Sequence, residues 1–190
     1  MNLTPQEIVL VTVAEADNRT IQGRTLLQKR LYFLDVLLGL GLSYRPYYYG
    51  PYSPLVDSAL GELQALRFLE EHQRDFDAIN EEGFQVRRYD AELTKDGEVV
   101  VGLLKRRKPS DYRAMAKGLQ GLQTAKEPDY ATLSIAAKIH YILTRQAASM
   151  TVEEIQKVGK ELNWKIEDRA HRLQKAIAFL ERLDLVKQGS

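Results

Sequence analysis

A connector rich in tyrosine, glycine and proline separates two amphipathic helical patterns in the N-terminal half of the chain. It runs from Gly41 to Ser53 and holds five of the ten tyrosines of this 190-residue sequence. Leucines recur at spacings of three and four before the connector, and apolar residues do so after it, which predicts a helix on each side. Because its prolines fix the backbone, we expect the connector to hold the two helices at one angle.

Capping residues and periodicity organise the rest of the N-terminal half. Thr4, Ser53 and Thr94 each precede a helical pattern, and their hydroxyls are suited to accept from N–H groups of the first turn. Partial alternation from Phe84 to Tyr89 predicts a strand, with residues 68–76 as its antiparallel partner. The predicted helices span about 5–16, 24–38, 54–67 and 95–108.

A basic run closed by Pro109 marks the predicted boundary between two domains, residues 1–108 and 109–190. The order helix, helix, connector, helix, hairpin, helix resembles that of a winged helix-turn-helix. The sequence therefore predicts an α+β, mostly helical protein. Its N-terminal domain is expected to be winged-helix-like with a small β-hairpin, and its C-terminal domain to be helical and helix-turn-helix-like.

The C-terminal half has helical patterns almost throughout. Thr151, with Glu154 three residues later, forms a capping-box pattern. A last helix is expected from Lys165, and Leu185–Val186 is expected to be a short terminal strand. Weaker or longer helices are predicted over about 110–124 and 128–146.

Several classes of protein are disfavoured by composition. The chain has no cysteine, and its formal net charge is only +1, so any nucleic-acid binding must use a local basic patch. No apolar run approaches the roughly 18–20 residues that span a bilayer, and we expect a cytoplasmic protein without membrane contact.

The histidines, His72, His140 and His171, lack metal-ligand spacing. No phosphate loop or nucleophile elbow is present. We therefore expect no metal, no cofactor, no catalytic residue and no enzymatic activity.

Two short motifs carry a family resemblance. Leu27-Gln28-Lys29 is followed by the apolar-aromatic pair Leu31-Tyr32, and Tyr49-Gly50-Pro51 comes later. These residues resemble the YwgA-like and Panacea (SocA antitoxin-like) proteins over roughly residues 20–70, and less clearly to residue 108. The resemblance implies a winged-helix-like fold, and in its antitoxin branch a partner-binding or adaptor role.

The first half has the order of elements of a DNA reader without the charge of one. The helix after Ser53 offers acidic and neutral side chains toward a groove, with Arg67 as its one basic residue. The predicted hairpin is acidic, and an acidic wing is repelled by phosphate.

Basic side chains in and near the second half are better candidates for nucleic-acid contact. On the last helix they are spaced three or four apart and share one face. A solvated helix surface is the alternative, because acidic residues are interleaved with them. The candidate nucleic-acid-binding residues are Arg169, His171, Arg172, Lys175, Lys157, Lys160, Lys105, Arg106, Arg107 and Lys108.

The connector tyrosines also have two interpretations. Tyr47, Tyr49 and Tyr52 are candidates for binding a partner, since aromatic rings supply large contact areas. Packing onto the core is the alternative and is favoured for most of the connector tyrosines. Alternation suggests a split, in which Tyr47 and Tyr49 point outward if Tyr48 points inward. The expected function is recognition of duplex DNA by a regulatory protein, with a homodimer reading paired half-sites. The alternative is a protein-binding adaptor or antitoxin-like module that uses the tyrosines.

Overall fold

The computed structural model describes residues 1–79, 85–147, 149–166 and 170–187. Within these ranges the chain is an α+β protein and mostly helical, as the sequence predicts. Its helices are α1 (Pro5–Ala14), α2 (Arg24–Leu38), α3 (Pro54–Ala65), α4 (Lys95–Arg107), α5 (Pro109–Thr124), α6 (Tyr130–Gln146), α7 (Val152–Glu161) and α8 (Ala170–Arg182). Its strands are β1 (Thr20–Ile21), β2 (Arg45–Tyr47), β3 (Gly50–Tyr52), β4 (Leu69–Ile79) and β5 (Gln85–Leu93).

The predicted helix caps are confirmed. Thr4 and Thr151 each form a complete capping box with the glutamate three residues later. The hydroxyl of Ser53 accepts from the N–H of Val56, and Thr94 caps α4 in the same way. Local capping chemistry therefore sets where α1, α3, α4 and α7 begin.

The predicted hairpin is also present. Strands β4 and β5 pair antiparallel from Leu69 opposite Leu93 outward, and β1 adds to the other edge of β5. Three of its acidic side chains, Glu71, Asp75 and Asp90, lie close to arginines. Arg24 of α2 makes a two-point ion pair with Glu71 at 2.6 and 2.7 Å, which ties the hairpin to the helix that precedes the connector.

The connector forms a second, miniature hairpin that the sequence analysis did not predict. Strands β2 and β3 are three residues each, with Arg45 opposite Tyr52 and Tyr47 opposite Gly50. The turn lies at Tyr48 and Tyr49, directly before Gly50 and Pro51. Gly50 has a φ of +103° and belongs to β3, so the glycine serves a tight strand start.

One continuous hydrophobic core extends from Ile8 in α1 to Leu180 in α8. Helix α2 lies at its centre and packs against α5 and α6. The Phe33 ring of α2 meets the Phe179 ring of α8 edge to face, with centroids 5.2 Å apart. The predicted domain boundary coincides with the junction of α4 and α5, and helices on both sides of that junction contribute to this core.

Two local predictions about the C-terminal half are wrong. The last helix was expected from Lys165, but Lys165 and Ile166 are not helical, and the described part of that helix is Ala170–Arg182. Leu185–Val186 forms no strand, and its side chains are half-buried against the core. Among the described helices, none is both long and apolar enough to cross a bilayer.

Candidate functional site

The two motifs that carry the family resemblance form one hydrogen-bonded unit. The Gln28 side-chain amide donates to the Ser53 carbonyl and accepts from the Ser53 N–H, both at 3.0 Å. Next to it, the Lys29 ammonium group donates to the Pro51 carbonyl at 2.7 Å. Gln28, Lys29 and Ser53 are all buried. Helix α2 therefore holds strand β3 and the following residue, Ser53, through side chains that hydrogen-bond to backbone groups there.

Two further side chains, Ser134 and Trp164, also hold the hairpin. The Ser134 hydroxyl of α6 donates to the Tyr49 carbonyl at 2.9 Å. The indole N–H of the buried Trp164 donates to the Tyr47 carbonyl at 2.6 Å. Donors from α2, from α6 and from the segment before α8 thus fix the backbone of the β2–β3 hairpin.

The fixed hairpin presents three tyrosine rings to solvent, which we call the tyrosine tip. Tyr47, Tyr48 and Tyr49 are 58%, 70% and 65% exposed. The expectation that most connector tyrosines pack on the core is therefore wrong for these three, and the split that alternation suggested does not occur. Tyr52 is half-buried, with its ring 4.8 Å from that of Tyr47. Tyr44 does pack inward, and its hydroxyl donates to the Gln28 carbonyl at 2.9 Å.

The unusual member of this unit is Lys29, a lysine with 2% of its surface exposed. Burial lowers the pKa of Lys29 to about 7, and the positive charge of Lys138 adds to the effect. A neutral amine can still donate to the Pro51 carbonyl. The hairpin contact therefore persists when Lys29 loses its proton, and burying the charged form is what costs stability.

Lys29 is expected to make stability rise with pH. The folded-state pKa lies below the unfolded value of 10.5, so the unfolded chain binds more protons between these values and raising the pH favours folding. Between pH 7 and pH 9 the free energy of unfolding should rise by about 2 kcal/mol. Urea unfolding at each pH measures this.

The matched control is a lysine that is exposed. Lys29→Met should abolish most of the rise, whereas Lys117→Met, at an exposed position of α5, should retain it. The measurement stops at pH 9 because burial raises the pKa of Tyr32 above its ordinary value of 10.0. Above pH 10 the unfolded chain loses this proton more readily than the folded chain, so stability falls for a reason unrelated to Lys29. A flat profile in the unsubstituted protein would contradict a neutral, buried Lys29.

An open cavity of about 400 Å³ lies beside the tyrosine tip, and we call it the basic cavity. Four cationic side chains line it: Arg87 of β5, Lys138 of α6, Lys165, and Arg172 of α8. Two tyrosines, Tyr49 and Tyr130, also line it, together with Thr25, Ala131, Ser134 and Ile135. The cavity therefore combines positive charge with aromatic rings.

Lys138, which lines the basic cavity, also contacts the hairpin and the segment before α8. The Lys138 ammonium group donates to the Lys165 carbonyl at 3.2 Å. Its aliphatic stem lies against Gly50, where a Cβ atom would be 3.0 Å from Lys138 Cγ. Lys138 and Lys165 were not identified from sequence, because they meet only when α6 and the segment before α8 pack together.

The candidate basic residues of the C-terminal half divide into two sets. His171 and Lys175 are exposed on α8, and Lys157 and Lys160 are exposed on α7. Arg172 is half-buried and lines the basic cavity. Gln174 shares the exposed face of α8 and was missed by the sequence analysis. Arg169 lies outside the described residues.

The basic run at the end of α4 is partly engaged within the protein. Lys108 forms an ion pair with Glu7 at 2.7 Å. Lys105 lies 3.8 Å from Glu15, with its ammonium group 4.7 Å from the centre of the Tyr112 ring. Arg106 and Arg107 are exposed. A run that looks uniform in sequence thus contains two cations that help attach α4 to α1.

The described part of the chain contains no group of three or more residues suited to hold a metal ion. His140 is buried in the core, with Nδ1 2.8 Å from the Tyr32 hydroxyl. Burial lowers the pKa of His140. His72 lies 3.1 Å from Glu92 on the hairpin, and His171 lies on α8. The histidines thus occupy three separate regions.

No protein-family model matches this chain, and no curated protein shows significant sequence similarity to it. The similarity to the YwgA-like and Panacea proteins stays an expectation that rests on the motif residues. What the structure adds is local: Gln28 and Lys29 of one motif contact the segment that contains Gly50-Pro51 of the other.

Proposed function

We propose that this chain is a cytoplasmic, non-enzymatic recognition protein of winged-helix type that binds nucleic acid. The observation that carries the proposal is the basic cavity. It joins Arg172 of the basic helix α8 to Tyr49 of the tyrosine tip. Sequence analysis treated these two regions as rival sites for different partners, and their proximity supports a single surface.

The chemistry of this surface suits nucleic acid. Arginine and lysine attract phosphate and supply most of the sequence-independent affinity. The exposed face of α8 carries His171, Gln174 and Lys175, and side chains of these polar types hydrogen-bond base edges and phosphates. The order of elements through the β4–β5 hairpin supports winged-helix type, although α3 and that hairpin carry too much negative charge to meet phosphate themselves.

Binding should be steeply dependent on salt. If about three phosphates are neutralised, raising salt from about 50 to about 200 mM should weaken binding roughly 40-fold, because bound cations are released from the nucleic acid. Fluorescence anisotropy with labelled duplex and single-stranded oligonucleotides of mixed sequence measures this.

Charge reversal locates the surface. Lys175→Glu on the exposed face of α8 should weaken binding about tenfold. Lys117→Glu on α5 introduces the same change at another exposed lysine and should have little effect. No binding of either oligonucleotide at low salt would overturn the proposal. A homodimer is expected if duplex half-sites are read, and sedimentation would detect it.

A partner protein is the second candidate, because three exposed tyrosines on a rigid hairpin are also suited to a protein interface. In this adaptor or antitoxin-like role the basic cavity would receive an acidic side chain. The absence of oligonucleotide binding, together with a stable complex that is lost on Tyr48→Ser, would favour this function.

A further inference from the structure

We propose that Lys29 and the β2–β3 hairpin form a pH-sensitive switch, in which proton uptake by Lys29 releases the hairpin from α2 and moves the tyrosine tip. This inference goes beyond the proposed function, because it concerns the hairpin itself and not the ligand that the tip binds. Its test uses no ligand, so its failure and the failure of the proposed function are distinguishable.

The surroundings of Lys29 suit a neutral amine better than an ammonium ion. An ammonium ion has three N–H donors, whereas the Lys29 amine makes one hydrogen bond, to the Pro51 carbonyl at 2.7 Å. The residue is 2% exposed, so bulk water does not reach the other donors. Among the residues that the structure describes, no carboxylate forms an ion pair with Lys29. A proton added to the closed hairpin therefore creates a buried charge with too few partners.

The hairpin is the part of this environment that can move at the smallest cost. A Cβ atom on Gly50 would lie 3.4 Å from Lys29 Nζ, so the backbone of β3 lies directly against the amine. Strands β2 and β3 have three residues each, whereas α2 lies at the centre of the core. Small segments open locally more readily than core helices. Displacing the hairpin thus hydrates Lys29 without unfolding α2.

The ends of the hairpin have anchors that do not involve Lys29. Leu42 is 1% exposed, and the Tyr44 hydroxyl donates to the Gln28 carbonyl at 2.9 Å. On the other side, Gln28 makes two hydrogen bonds with the backbone of Ser53. The part free to move is therefore the segment between Tyr44 and Ser53, which contains the tyrosine tip.

The titratable groups around Lys29 include one that is charged, Lys138 of α6. Its charge acts on Lys29, and its ammonium group donates to the Lys165 carbonyl in the segment before α8. The remaining groups come from α2, the connector, β3 and α6, and burial shifts each pKa so that the group stays neutral from pH 7 to pH 9. They are Tyr32, Tyr44, Tyr52 and His140.

The direction of the switch follows from proton binding in the closed and open states. Burial lowers the pKa of Lys29 to about 7 in the closed state, and Lys138 adds to the effect, whereas an exposed lysine has a pKa of 10.5. Between these values the open state binds more protons, so a fall in pH favours opening. The opening equilibrium should rise roughly 50-fold from pH 9 to pH 7. Below pH 7 both states carry the proton, and the rise levels off.

Trp164 provides a direct probe of the hairpin. It is the single tryptophan of the chain, and its indole N–H donates to the Tyr47 carbonyl. Exchange of this proton with solvent, measured by NMR and corrected for the rate of a free indole, gives the opening equilibrium. We expect its protection to fall roughly 50-fold from pH 9 to pH 7. Low concentrations of urea should affect this exchange less than that of the α5 amides, because local opening exposes less surface than global unfolding.

Two variants and one titration complete the test. Lys29→Met should remove the pH dependence, and Lys117→Met, at an exposed lysine of α5, should retain it. In the unsubstituted protein, the NMR signal of Lys29 Cε should titrate with a midpoint near 7, a result that stands even if Lys29→Met does not fold. A midpoint near 10.5 would overturn the inference. So would a pH dependence that persists in Lys29→Met, because Lys138 is still present there. Indole exchange with the same protection and urea dependence as the α5 amides would also overturn it, since only global unfolding would then open the hairpin.

Discussion

Gly97→Ala is expected to lower the free energy of unfolding by about 3 kcal/mol. A Cβ atom on Gly97 would lie 2.2 Å from the Phe68 carbonyl oxygen and 2.7 Å from Leu93 Cδ1. The carbonyl cannot move aside cheaply, because it accepts from the Thr94 N–H and lies within hydrogen-bond reach of the Thr94 hydroxyl. Gly97 is therefore needed for the start of α4 to approach the start of the β4–β5 hairpin.

The same substitution at another glycine of α4, Gly102, should raise the free energy of unfolding instead of lowering it. At Gly102 the nearest atom to an added Cβ is the end of the flexible Arg106 side chain, 4.0 Å away. Gly102→Ala should therefore stabilise the protein by about 0.5–1 kcal/mol, because alanine loses less backbone freedom on folding. Urea unfolding of both variants gives the comparison. Equal effects of the two substitutions would contradict the close approach at Gly97.

Gln28→Leu is expected to destabilise the protein by about 3 kcal/mol. Leucine has a similar volume but cannot accept from the Ser53 N–H or donate to its carbonyl, and both groups are buried. A buried backbone group left without a partner costs about 1–3 kcal/mol, and here two are affected. The loss should also free the hairpin that carries the tyrosine tip.

Gln120→Leu is the control, because Gln120 is exposed on α5. Its effect on the free energy of unfolding should remain within about 0.5 kcal/mol. Hydrogen exchange provides a second readout, since the amides of β2 and β3 should lose protection in Gln28→Leu more than those of α5. Unchanged stability in Gln28→Leu would contradict the role of the two motifs as one unit.

Local chemistry explains which parts of the fold were predictable. Capping needs only a hydroxyl and the backbone of the next turn, so Thr4, Ser53, Thr94 and Thr151 indicated their helices from sequence alone. The bounds of α2 were predictable for a similar reason. Its leucine stripe has a clear helical period, and it ends at Gly39, which adopts the left-handed conformation that favours glycine.

Contacts between distant segments explain what was missed. Strands β2 and β3 have three residues each and include two prolines, so neither alternation nor length predicts them. Their partners are the side chains of Gln28, Lys29 and Trp164. A lysine in an amphipathic helix is normally assigned to solvent. Lys29 is buried because the Pro51 carbonyl, supplied by the hairpin, is there to accept from it.

The candidate site was predictable only in part. The exposed basic residues of α8 follow from helical spacing, since Ala176 and Leu180 are on the opposite, buried face. The basic cavity could not be inferred, because Arg87 and Lys138 come from a strand and a helix far apart in sequence. Proximity of Arg172 to Tyr49 is a property of the packed core rather than of either motif.

A double-mutant cycle tests most directly whether the tyrosine tip and α8 form one nucleic-acid-binding surface. The measurement is the affinity of oligo-dT for the unsubstituted protein, for Tyr49→Ser, for Arg172→Gln and for the double variant. If both side chains contact one bound nucleotide, the two losses should not add, with a coupling energy of at least about 1 kcal/mol. Additive losses, or an effect of only one substitution, would contradict a single surface.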